Sequence, residues 1–219
     1  AGILGQLQQT GTNLLAVAYL FPAQMAFLAQ AQGVGLLLDN VVRPIHTLLF
    51  PRISSSSQNE ALEVTCKAFR ITTIVMFASG LVLVIVAEPL IVLLYGPEFQ
   101  PTALVVRYLI PGLMIVGVCR TLTNYFSGIG QANIIPKIQV LPLILQFLLA
   151  WVFLQWWSLA GAAAAISIGG MVYGMLLLIV FKRVSRISYN QLIPDLDDVH
   201  YIVAFVRSQI SNIKKKNVK

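Results

Sequence analysis

Six side chains in this sequence could hold or move charge where charge is rare. Asp39, Arg43 and His46 fall within the run DNVVRPIHTLLFPRI, Arg120 and Asn124 inside a later apolar run, and Gln146 inside the next. Asp39 and Arg43 are four residues apart with the acid first, so on a helix they share a face in the favourable order for an ion pair. His46 follows three residues later on roughly the same side, and Arg120 and Asn124 share a face by the same spacing. An ionisable group in a hydrocarbon-spanning helix is costly, and it normally faces a packed interior or a wet cavity. Asp39 is deep and short-stemmed, so it calls for a partner, and Arg43 is the expected one. Arg43 has two readings, a cavity wall or a side chain snorkelling to the interface near Phe50, roughly 10 Å away at helical rise. His46 reads as a packed or interfacial histidine before it reads as a proton carrier, and with Asp39 it forms the candidate ion-pair or coupling group.

The surrounding composition sets the class. The chain is 58% hydrophobic and 11% charged, with a mean hydropathy of +0.81, against roughly 25% charge in a soluble domain. Its apolar residues come in blocks near or above the ~20 residues that span a bilayer. This implies an all-α polytopic membrane protein. Cys66 and Cys119 lack metal-type spacing and read as free structural thiols. No Gly-rich phosphate loop, His-Glu-x-x-His or Ser/His/Asp set is present, so neither an enzyme nor a cofactor or metal site is expected. The net charge of +7 collects at helix ends and in the tail, which is not a nucleic-acid pattern.

Six membrane spans are expected, at about 2–20, 23–50, 68–94, 102–127, 138–157 and 160–181, forming one transmembrane lobe over 1–183. The first carries Gln6, Gln8, Gln9, Thr10, Thr12 and Asn13, which suit either a helix packed on neighbours beside a hydrated cavity or an extramembrane lead-in. Residues 51–66 are expected as a polar connection with a helical restart at Asn59 or Glu60. Trp151, Trp156 and Trp157 fit an interfacial belt, and Gly170-x-x-x-Gly174 a close-packing face. The basic tail, 184–219, has apolar residues at helical spacing over 195–213 and then lysines, which fits an amphipathic helix on anionic lipid or a solvated end. Basic residues in the second and fourth connections and the tail place those on the cytoplasmic side. The sequence starts at Ala1 with no charged segment before the first apolar block, so a chain beginning inside a longer protein is expected.

Several pieces in order resemble a known family. They are Ala29–Gln32, Pro44-Ile45-His46 with Leu49-Phe50-Pro51-Arg52-Ile53, and Glu88-Pro89-Leu90-Ile91 with Leu94-Tyr95-Gly96-Pro97-Glu98-Phe99. Tyr125–Gln131 and Leu159-Ala160-Gly161-Ala162-Ala163 complete the series. Over about residues 25–183 this resembles the C-terminal half of a polysaccharide flippase, the Wzx-like branch of the multidrug/oligosaccharidyl-lipid/polysaccharide (MOP) exporter superfamily. The resemblance implies about twelve helices in two lobes, of which this chain is the second, the first lobe being its partner. It implies alternating access that carries a polyprenyl diphosphate-linked oligosaccharide across the cytoplasmic membrane, in contact with membrane lipids. A diphosphate and its sugars call for buried cations and amides, and Arg43, Arg120, Asn124 and Gln146 are of that kind. A lipid II flippase of the same superfamily remains an alternative. So do a multidrug exporter, which would favour buried carboxylates, and a non-transporting membrane subunit.

Overall fold

Helices carry almost all of the described residues, 2–187 and 189–195, of this computed structural model. They are α1 (Gly2–Tyr19), α2 (Pro22–Ser55), α3 (Gln58–Tyr95), α4 (Thr102–Gly128) and α5 (Ile134–Ser185), with 3-10 turns at Pro97–Phe99 and Tyr189–Leu192. The four helices α2 to α5 are long and apolar enough to cross a membrane. The helix expected over 195–213 lies outside the described residues.

Local chemistry explains where the helices begin and end. Pro22 opens α2 at a position whose N–H would have no helical partner, and the Gln24 side chain reaches back to accept from the Phe21 N–H at 3.2 Å. The serine run expected as a loop instead finishes α2. Ser54, Ser55 and Ser56 each donate a hydroxyl to the carbonyl four residues back, at 3.0, 3.0 and 2.7 Å, which occupies acceptors that the end of a helix leaves open. The connection to α3 therefore shrinks to Ser56 and Ser57, and the restart comes at Gln58. Glu60 accepts from the Ser57 N–H at 3.0 Å, the return arm of a capping box. That hydrogen bond holds the exposed Glu60 carboxyl below its usual range.

α5 has 52 residues, roughly 78 Å of helix if it were straight, more than twice the ~30 Å hydrocarbon core. It is bent back at Ser158, whose φ of 48° and ψ of −123° are non-helical. Gly161 then packs under the Phe153 carbonyl and Gly169 beside the Gln146 side chain. These pairs are nearly equidistant from Ser158, so the two arms run antiparallel as a hairpin. The arms cover the segments expected at 138–157 and 160–181, and the turn between them is a single residue. Near this bend Trp156 and Trp157 are exposed, and the Trp151 indole N–H donates to the Tyr19 hydroxyl at 3.1 Å.

α4 is the hub, packed on α2, α3 and α5. Leu109, Ile110, Leu122, Tyr125 and Phe126 bury their side chains around it, with Tyr125, Phe126 and Phe181 in edge-to-face contact. Its closest neighbour is the second arm of α5. The Gly112 N–H donates to Ser167 Oγ at 2.8 Å, and a side chain on Gly112 would run into the Ser167 backbone. Gly170 and Gly174 continue this seam against Val116 and Ile115, so the small-residue spacing is a packing face. α1 stands apart from the hub, packing on α5 and only lightly on α2.

Candidate functional site

A cleft of about 540 Å³ lies among α1, α2, α4 and both arms of α5. On α2 its wall is Gln32, Gly35, Leu36 and Asp39, the 0, 3, 4, 7 spacing of one helical face. α4 contributes Leu113, Val116, Gly117, Arg120 and Thr123 by the same logic. α1 supplies Gln6 and Gln8, and α5 supplies Gln139 and Gln146 from its first arm and Ile166, Gly170 and Tyr173 from its second. Most of the lining is apolar, and the polar groups on it are amides, hydroxyls and one ion pair.

That pair is the main correction to the sequence reading. Asp39 Oδ1 is bound by Arg120 Nη1, across the contact between α2 and α4, and not by Arg43. Val42 and His46 are buried on α2, His46 beside Asn124 of α4, and Arg43 lies a further step round the helix, on its exposed side. Arg120 points straight across from the facing helix, so it reaches Asp39 first. Arg43 is exposed, lies outside the cleft lining, and makes no ion pair among the described residues. The Asp39 and Arg120 side chains keep 28% and 44% of their surface accessible, so the pair sits in the wall within reach of a ligand.

Asn124 and His46 support this wall from behind. The Asn124 Nδ2 donates to the His46 carbonyl at 3.2 Å, and His46 is buried, beside Arg120 and Asp39. Neither lines the cleft. Gln146 does, but its amide is consumed: Oε1 accepts from Gln8 Nε2, and Nε2 donates to Thr12 Oγ1 at 2.8 Å. Gln8, Thr12 and Asn13 of the first block thus belong to a packed helix face, while Gln6 and Thr10 are exposed. Gln139 extends the set, donating from Nε2 to Gln8 Oε1 at 3.3 Å, and Gln32 Nε2 donates to Asn13 Oδ1 at 3.0 Å, joining α2 to α1.

Of the six candidates, Asp39, Arg120 and Gln146 meet in one cleft, and Asn124 and His46 brace it. Gln139, Thr123 and Tyr173 were missed. Gln139 is one polar residue at the start of an apolar run, and only its neighbours in space give it meaning. Gln6 and Gln8 were visible as an excess of amides in the first block.

Long apolar helices around a mostly apolar cleft, with a half-accessible ion pair in its wall among the described residues, are the architecture of a helical membrane protein with an internal cavity. The family model described as lipid II flippase MurJ matches residues 10–214, and the chain belongs to that family. A search of the curated proteins finds no match. The family lies within the MOP superfamily expected from the sequence, and it is a family of flippases, not of enzymes. The model that matches is that of the lipid II flippases, held above as an alternative, and not one of the polysaccharide branch.

Proposed function

We propose that the protein moves lipid II, a diphosphate-linked glycolipid, across the cytoplasmic membrane by alternating access, with this chain as one lobe. Six crossings then comprise α1 to α4 and the two arms of α5, with both ends and the α2–α3 and α4–α5 connections on the cytoplasmic side. Lys67, Lys137, Lys182 and Arg183 on that side, against Arg107 with Glu88 and Glu98 on the other, support this orientation.

The observation that carries the reading is Arg120, a fixed cation in the cleft wall whose only charge partner among the described residues is Asp39. A guanidinium fork matches phosphate oxygens, and a diphosphate brings more negative charge than one carboxylate. In the empty cleft Asp39 neutralises Arg120, which keeps the site from being a bare cation near hydrocarbon. An arriving diphosphate takes over the guanidinium, and on release Asp39 reclaims it. The same neutralisation argues against a cation exporter, because the one acid in the wall among the described residues is already occupied. The polysaccharide reading shares this diphosphate chemistry and is favoured by the ordered motifs over about residues 25–183.

The test uses the full-length protein in proteoliposomes, scoring movement of lipid II between leaflets. Arg120→Ala is expected to lower the rate by about 30-fold or more, the loss of a charged hydrogen-bonded contact. Arg43→Ala, outside the cleft, should change it by no more than about twofold. Unchanged flipping in Arg120→Ala would sink the assignment of the anion subsite. Movement of a diphosphate-linked polysaccharide repeat unit without movement of lipid II would favour the polysaccharide branch.

A further inference from the structure

We propose that the α1–α5 wall of the cleft is a glycan subsite, built from Gln139, Gln8 and Gln6, that reads the hydroxyl- or amide-bearing sugar next to the diphosphate. This rests on the flippase reading and adds to it a second recognition element, separate from Arg120.

The wall is a hydrogen-bond ladder with one direction. Gln139 donates to Gln8, Gln8 donates to Gln146, Gln146 donates to Thr12, and Thr12 donates to the Gln8 carbonyl at 2.9 Å. Gln8 and Gln146 each use their nitrogen forward and their oxygen backward, so the polarities reinforce one another. At the Thr12 end the ladder closes on backbone. At the Gln139 end it stays open: the Gln139 carbonyl oxygen accepts no hydrogen bond among the described residues, although the residue is only 7% exposed and lines the cleft. Gln6 lines the same stretch and makes no hydrogen bond among the described residues. A network that served only to tie α1 to α5 would end, as it does at Thr12, with its groups filled. This one ends in the unfilled carbonyl of Gln139, a residue of the cleft lining, with the unbonded Gln6 lining the same cleft.

The free groups define the ligand. They are neutral carbonyl acceptors and amide N–H donors, with no charge on this wall. A sugar hydroxyl both donates and accepts, and an acetamido group pairs its N–H and C=O with an amide, so a glycan fits and a second phosphate does not. The anion and glycan subsites lie on different helices, Arg120 on α4 and the amides on α1 and α5, so a ligand holding both would bridge the two sides of the cleft.

The experiment measures binding of two probes to the purified full-length protein, lipid II and sugar-free undecaprenyl diphosphate. The native protein is expected to prefer lipid II by about tenfold or more. Gln139→Leu and Gln6→Leu should each shrink that preference severalfold while leaving undecaprenyl diphosphate binding unchanged, whereas Arg120→Ala should weaken both probes together. Gln6 is exposed and unbonded, so Gln6→Leu keeps the test alive if Gln139→Leu fails to fold. Equal native binding of the two probes, or glutamine variants that weaken both alike, would overturn the glycan subsite and leave the flippase reading standing. Failure of the native protein to bind either probe would overturn both.

Discussion

Arg120 and Asp39 show what residue chemistry alone can and cannot settle. Each is the right kind of group for a wet cavity, and both types were legible, because an ionisable side chain in an apolar run has few places to go. Their pairing was not legible, because the i to i+4 rule sees only neighbours along one helix and Arg120 comes from another. The pair is half-accessible, so it should behave as a modest and salt-sensitive interaction. A double-mutant cycle with Asp39→Ala and Arg120→Ala, read by thermal unfolding of the purified protein, is expected to give a coupling of about 1 kcal/mol. A coupling near zero would mean that the two groups stabilise the fold independently. Gln146 teaches the converse: an amide chosen as a ligand group turns out to be filled, and the open amide is its neighbour in space, Gln139.

Among the elements, the helices were legible from their apolar blocks, and the errors came at polar stretches whose side chains bond their own backbone. The serine run after Phe50 has a loop composition, yet its hydroxyls cap carbonyls one turn back and carry α2 to Ser55. Glycines differ in the same context-dependent way. Gly112 faces the Ser167 backbone at the α4–α5 seam, whereas a side chain on Gly33 of α2 would meet nothing within 4 Å. Gly112→Val is therefore expected to destabilise the protein by about 3 kcal/mol, through overpacking against main chain that cannot rotate away. Gly33→Ala should be neutral or stabilising by up to about 1 kcal/mol, since it removes a helix-interior glycine. Unfolding of the two variants side by side separates the cases, and equal stability would mean that the seam is not close-packed. No such ranking could be made from the sequence, where both are small residues in apolar runs.

For the whole molecule, the decisive feature is the bend at Ser158. It turns one continuous stretch of 52 helical residues into two antiparallel arms, and with α1 it raises the number of proposed crossings to six. The topology can be read from single cysteines placed in a background lacking Cys66 and Cys119. Ser55→Cys and Gln131→Cys should be labelled from the cytoplasmic side, and Glu98→Cys and Trp157→Cys from the opposite side. Labelling of Trp157→Cys from the cytoplasmic side would refute the two-crossing hairpin. The class of fold was plain from composition, but the packing of α1 on α5 and of α4 between α2, α3 and α5 was not, since which helices touch depends on small-residue seams that look alike along the chain.

The 81-residue separation of Asp39 from Arg120 also sets an order of events during synthesis. Asp39 is made 81 residues before Arg120, so the ion pair between α2 and α4 cannot close until most of α4 has been synthesised, whereas Arg43, four residues on, is at hand almost at once.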